Sequence, residues 1–349
     1  MRLTEDRRTI QIWEIGISIL LILCLILLLF TGCMINTVTP EIASGNLENQ
    51  EDINPNSNNF QSPSTGLVYE LGTEEPGTIY PQKWATGTGT EEDPWANGCV
   101  ESAVGACPAG GTVYLKAGYY QLAALVNVNK SMNIIGEGMG NTIVLTGKQY
   151  GFYSDGVDYV TIKGLTVDGD AQTTNGTTYC TCMAFNNSTY LIFEDIEVKN
   201  SARYGWDGND NNHLLFQNFY AHDNYRHGIH PMANRAGTNM YNTYRDVYCW
   251  NNGVNGISDI GSEDYPNEDM HNVYDNVQCW NNGFHGLQIS RMHNVTISNS
   301  YFSGNGLVGL FLYDDEDFNI YNCSMTLNAD GIIVSISENI NIYNYTRNP

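Results

Sequence analysis

The chain is short of positive charge. Its 15 Lys and Arg stand against 38 Asp and Glu, for a formal net charge of −23. A field of that sign repels phosphate backbones, which excludes nucleic acid as a partner, and any polyanion must be met by a local basic patch rather than by the whole molecule. Long apolar runs are equally scarce, and the one that stands out is the uncharged stretch from Ile15 to Ile35, long enough to cross a bilayer. A Leu-dominated consensus of constant length is missing, which excludes a leucine-rich repeat, and so is the unit of about forty residues that a propeller blade requires. Seven Cys follow Cys33, and none is spaced as a zinc ligand. No cofactor is expected.

Arg2, Arg7 and Arg8 precede the apolar stretch, so residues 1–35 read as a signal or anchor segment that meets the secretory machinery. Two forms are open. Leu29-Phe30-Thr31-Gly32-Cys33 resembles a lipoprotein cleavage box, which would lipidate Cys33; the alternative is an uncleaved single-pass anchor with its positive end inside. Both place the bulk of the protein outside the cell, held to the membrane. Residues 36–66, rich in Asn, Ser, Pro and Thr without a hydrophobic period, read as a flexible linker. One domain follows, 67–349, of which 67–115 forms a cap region.

What the domain has in place of charge is a repeat. With Phe193, Phe216, Tyr244, Tyr274, Ile297 and Ile320 as anchors, Asn224, Asn252, Asn282, Asn305 and Asn328 fall in one column and Gly205, Gly228, Gly256, Gly286 and Gly309 in another. Ser201 stands where the first Asn is expected. The intervals are 23, 28, 30, 23 and 23 residues, too short for a unit to bury its own apolar face, so neighbours must stack. Short alternating strands in stacked coils give parallel sheets, Asn amides bonding from rung to rung, and Gly taking positive φ at a corner. The expected fold is all-β, a right-handed parallel β-helix with an N-terminal capping helix near Ala96 to Ala106 that plugs the open end. The last coil ends at Pro349 without a capping segment, which reads as a truncated chain or as a surface packed on a partner.

Cys249 and Cys279 occupy equivalent places in adjacent coils and lie within disulfide reach, or else simply fill the core. Cys99 and Cys107 flank a short segment and form a second candidate pair.

Residues 89–95, 109–120 and 133–142, in that order, resemble the start of pectate-lyase-like β-helix proteins, among them mannuronan C5-epimerases and surface polysaccharide lyases. The resemblance implies an extracellular polysaccharide as partner. It continues at Tyr204-Gly205-Trp206-Asp207-Gly208-Asn209, which looks like the Tyr-Gly-Phe-Asp-Pro-His motif of the epimerases; Tyr204 and Asp207 match catalytic positions, and Gly208 and Asn209 replace the Pro and the His. Arg226-His227-Gly228 is similar to the family's Arg-His-Gly, one coil early. A second register sets Gly228-Ile229-His230-Pro231 on the motif, brings Asp259 near its second acid and His285-Gly286 onto its His-Gly.

The residues point to the same place without the resemblance. All seven His lie between His213 and His293, with Arg203, Arg226, Arg235, Arg245 and Arg291 among or near them. The column before the Gly reads Tyr204, His227, Asn255, His285, and the column two after it reads Asp207, His230, Ser258, Gln288. Alternation turns the second column outward. The patch spans about four rungs, roughly 15 Å. The two long intervals place extra residues beside it, near Met232 to Asn242 and Gly261 to Asn272, where inserted loops wall a binding face.

Abstraction of a C5 proton from a uronate needs a cation at the carboxylate, for which Arg203 and Arg226 qualify, a base, for which His227 and His230 lead and His285 follows, and an acid, Tyr204. Asn209, Asn255, Ser258, Asp259 and Gln288 would hold the polymer. The expected activity is that of a C5-epimerase or polysaccharide lyase. The rival is a non-catalytic surface β-helix that binds glycan or builds an envelope layer, in which outward polar ladders are merely solvated. Two further features carry paired readings: Asp314-Asp315-Glu316-Asp317 as a Ca²⁺ site or a solvated turn, and the Trp250–Trp280 column as a sugar-stacking face or a corner stack. The converging Asp pairs and the Gly-His-Gly of polygalacturonase-type hydrolases are not found.

Overall fold

A computed structural model of the chain describes residues 78–79, 100–146, 149–170, 180–262, 264 and 270–348. The expected anchor, the linker, Cys33 and Cys99 lie outside these residues. Among the described residues no helix is long and apolar enough to cross a membrane. Nine strands, from Val126–Asn127 to Asp330–Ser335, form one sheet, and sixteen form another. Successive coils from Thr112 to Ser335 run through both, and adjacent coils pair in parallel. The larger sheet turns a corner within its long strands at single residues of left-handed φ, among them Asp195 (54°), Asn218 (50°), Asp246 (53°) and Asn276 (52°). Asn and Asp accept that region more readily than other residues with a Cβ.

The anchors are register partners in unbroken succession, Phe193 with Phe216, Phe216 with Tyr244, Tyr244 with Tyr274, Tyr274 with Ile297 and Ile297 with Ile320. The first four rings stack at 5.3, 5.0 and 4.5 Å between centroids. Buried completely, each such side chain stabilises the fold by about 1.5–3 kcal/mol. The helix Val100–Ala106 turns Val100, Ala103 and Val104 into the same core.

Each Asn pair divides its work. The first member, Asn251 or Asn281, takes left-handed φ. The second forms the ladder: Asn224 Nδ2 donates to Asn252 Oδ1 (2.9 Å), Asn252 to Asn282 (3.0 Å), Asn282 to Asn305 (2.9 Å) and Asn305 to Asn328 (3.0 Å). At the top, the Ser201 backbone N–H donates to Asn224 Oδ1, so the ladder needs no amide there.

The glycine column departs from expectation. Gly205, Gly228, Gly256 and Gly286 do not adopt positive φ; a Cβ built on each would meet the carbonyl oxygen of the next Gly in the column at 2.6–2.7 Å. Close approach of successive rungs excludes a side chain, and the left-handed corners fall to Asn and Asp instead. Cys249 and Cys279 are register partners, as expected, but both are buried free thiols and no bridge joins them. In-register side chains on parallel strands run side by side at the rung spacing, whereas a disulfide needs Cβ atoms about 3.8 Å apart. Asp315 is no solvated turn: it is 2% exposed, and its carboxylate accepts the backbone N–H groups of Met292 and Tyr313.

Candidate functional site

The nine-stranded sheet alternates inward and outward residues, and its outward face carries the polar patch. On Trp206–Asn209 and Ile229–Met232 the inward residues are Trp206 and Ile229, both fully buried, while Asp207 pairs in register with His230 on the outward side. Two coils on, Ser258 pairs with Gln288, and Gln288 with Phe311. The outward column deduced from the repeat is therefore the one that forms.

Six of the expected residues converge at its upper end. The rings of Tyr204, His227 and His230 lie nearly parallel, with Tyr204 to His230 at 4.7 Å, His227 to His230 at 4.9 Å and Tyr204 to His227 at 5.5 Å. His230 Nδ1 hydrogen-bonds Asp207 Oδ1 at 3.0 Å. A carboxylate can only accept, so the ring proton sits on Nδ1 and the basic lone pair on Nε2. Arg226 Nη1 donates to the Tyr204 hydroxyl at 3.1 Å, and the Arg203 guanidinium lies 4.6 Å from the Tyr204 ring centroid. Two cations thus border a phenol, a carboxylate and two imidazoles.

His227 differs from its neighbour. Burial, then the adjacent His230 and the Arg226 cation, push its ring down to about 3, and its Nδ1 accepts the Asn255 backbone N–H at 3.3 Å. The ring is neutral with its proton on Nε2: a hydrogen-bond donor, not a base.

Three expected residues stand apart. His285 sits a coil beyond Asn255, stacks on Phe311 at 4.8 Å, and is pushed by burial down to about 4. Asn255 spends its amide on Gln288 Oε1 (2.7 Å) and on the His285 backbone N–H (3.1 Å). Asn209 bonds Asn186 and Asn234 at the edge of the first inserted loop. That loop is pinned by Asp210, whose carboxylate accepts from the Asn234 and Arg235 backbones, from Arg235 Nε and from Thr238.

Asp259 is a correction. It points inward, wholly buried, and accepts the hydroxyls of Tyr244 and Tyr274 and the amide of Asn239. Two buried phenol groups require an acceptor, and Asp259 supplies it. Asn239, from the inserted loop, was not foreseen; nothing in its spacing distinguishes it from the other Asn of a chain rich in them. Among the described residues no group of three or more His, Cys, Asp or Glu converges as metal ligands.

Residues 236–348 match the family described as right handed beta helix region. No curated protein matches the chain by sequence. The A-module of the mannuronan C-5 epimerase AlgE6 of Azotobacter vinelandii is similar in structure, with a TM-score of 0.52 and 16% identity over 72% of this chain and 94% of that one. Pectate lyase Pel9A is similar with a TM-score of 0.50 and 15% identity over 77% of each chain. At such identities the likeness is one of architecture, and the chain is a right-handed parallel β-helix.

Proposed function

We propose that the protein acts on a uronate-containing polysaccharide by abstracting the C5 proton, at the cluster of Tyr204, Asp207, His230 and Arg226. The structural neighbours bear the names of a mannuronan epimerase and a pectate lyase, which supports a polysaccharide as partner. The observation that carries the reading is the pairing of a tautomer-fixed imidazole with a cation-bound phenol, at 4.7 Å between ring centroids.

In this reading Arg203 and Arg226 neutralise the uronate carboxylate, which acidifies C5–H. His230 Nε2 takes that proton, and the Asp207 carboxylate steadies the imidazolium that results. The neutral His227 offers its Nε2 proton to an oxygen of the same sugar. Two outcomes are open to the carbanion. In elimination its electron pair forms the C4–C5 double bond, the C4–O4 bond breaks, and Tyr204 passes its hydroxyl proton to O4. In epimerisation a proton returns to C5 from the opposite face. Tyr204, just before the strand Trp206–Asn209, stacks on His230 of the next rung, and the two address one face of a sugar laid upon the sheet. Asn209, where the epimerase motif has a His, offers no second titratable group, and both features favour elimination.

The apolar stretch 15–35 supports placement at the cell surface, by a lipid on Cys33 or by an uncleaved span. The test of function is incubation of the full-length chain with a panel of uronate polymers in D₂O, reading C5 deuteration by NMR and ultraviolet absorbance of unsaturated ends. Unsaturation on one polymer is the expected result. Binding with neither signal on any polymer would replace this reading by a non-catalytic glycan-binding β-helix.

A further inference from the structure

A second feature lies on the outer face of the sixteen-stranded sheet. His222, Trp250 and Trp280 are register partners on successive strands, and their rings stack at 4.0 and 4.9 Å with planes 9° and 5° apart. Tyr220 and Tyr248 stack beside them at 4.9 Å. The ring column then stops. Trp280 is paired in register with Ser303, and Ser303 with Thr326. The indoles inside a stack have both faces covered by rings; the last one turns a face toward a rung that carries only a hydroxymethyl group.

Because rungs repeat at about 4.8 Å, replacing a ring by Ser leaves a step one flat ring high, walled by the half-buried Trp280 indole. The step is edged by linked hydroxyls. Thr326 Oγ1 hydrogen-bonds Ser303 Oγ at 2.9 Å and Tyr301 Oη at 2.8 Å, and Tyr301 is 38% exposed. The outward neighbours Gln278 and Ser324 are likewise uncharged. An aromatic face beside a row of hydroxyls matches the two surfaces of a pyranose, a C–H face and a polar rim. An anionic sugar would find no cation among these six side chains, in a chain of net charge −23.

We infer that this step is a second carbohydrate site, separate from the Tyr204–His230 cluster and on the other sheet, which takes one pyranose ring of a neutral polysaccharide. The sugar continues the stack on Trp280 and exchanges hydrogen bonds with Tyr301, Ser303 and Thr326.

The test is calorimetric titration of the full-length chain with neutral cello-, xylo- and manno-oligosaccharides, beside uronate oligomers as the contrasting probe. At least one neutral oligomer binds, Trp280→Ala weakens it roughly tenfold, and Thr326→Ala weakens it less. Ser303→Trp fills the step with a further ring and leaves Trp280 in place, so it abolishes neutral-sugar binding and leaves the formation of unsaturated ends on uronate polymers intact. That second variant keeps the test decisive where Trp280→Ala disturbs the fold. Failure of every neutral oligomer to bind, or full binding by Ser303→Trp, overturns the inference. So does a dimer that Ser303→Trp dissolves, since the occupant is then a second copy of the chain. None of these outcomes touches the uronate reading, which is measured on other residues by another signal.

Discussion

His230 Nδ1 donates to Asp207 Oδ1 across adjacent rungs at 3.0 Å, and this bond decides which ring nitrogen faces a substrate. An Asn at 207 keeps the shape but presents an amide whose NH₂ drives the imidazole toward the opposite tautomer. Asp207→Asn should therefore lower kcat by ~10²-fold or more, the scale of losing a positioned base, while KM stays nearly unchanged. Steady-state kinetics on the polymer that gives unsaturated ends separate the two constants. A raised KM with kcat unchanged would make Asp207 a binding group instead.

His227 is held neutral by burial, with its ring pushed down to about 3, so its charge does not change across the range in which the enzyme would work. His227→Gln, which keeps an N–H donor, should cost no more than roughly tenfold in kcat/KM and leave the shape of the pH–rate profile unaltered above pH 5. His230→Gln should abolish turnover. A pH limb lost with His227→Gln would show that His227 is the titrating base and that the roles assigned here are reversed.

The arrangement of the coils was legible because apolar anchors, Asn and Gly recur in step, and a fixed period determines register whatever the residues do there. The reasons behind the columns were less legible. Gly256 looks the same in sequence whether a corner needs positive φ or a neighbouring carbonyl needs room, and only the 2.7 Å approach to Gly286 distinguishes the two. Asp259 was misplaced by matching a motif when its own column, Gly208, Pro231, Asp259 and Ile289, already reads inward by alternation. The split between His227 and His230 depends on a backbone N–H from Asn255, which no spacing reveals.

Asp259 makes the interior sensitive to pH. Burial raises its carboxyl from 3.8 to about 6, against the pull of the Tyr274, Asn239 and Tyr244 hydrogen bonds. Between those values the folded protein binds a proton that the unfolded chain has released, so stability falls as pH rises through the window and levels off above it. Asp315, raised by burial to about 7, acts in the same sense. His227 and His285, depressed by burial to about 3 and about 4, slope the other way over the same range. The readout is therefore the difference between wild type and Asp259→Asn in denaturant titrations from pH 4 to 7, in which the wild type loses stability relative to the variant as pH rises. Asp259→Ala should lose more, since it orphans two buried phenol hydroxyls at about 1–3 kcal/mol each. A stability difference between wild type and Asp259→Asn that does not change with pH would exclude a neutral Asp259 in the fold.

Two glycines separate close approach from conformational freedom. A Cβ at Gly256 would lie 2.7 Å from the Gly286 carbonyl oxygen and 3.0 Å from both Asn282 Nδ2 and Cys279 Cβ, so a methyl group must push successive rungs apart. Gly256→Ala should destabilise by about 1–3 kcal/mol, the usual cost of overpacking. Were left-handed φ the reason for glycine here, Asn would rescue the position, since it tolerates that region; because space is the reason, Gly256→Asn should be at least as damaging as Ala. Gly105, in the helix Val100–Ala106, meets nothing within 4 Å of a built Cβ. Gly105→Ala should leave stability unchanged or raise it by up to about 1 kcal/mol through helix propensity. Equilibrium denaturation of the three variants at one pH checks all of this together, and a Gly256→Asn protein as stable as wild type would return the column to its conformational explanation.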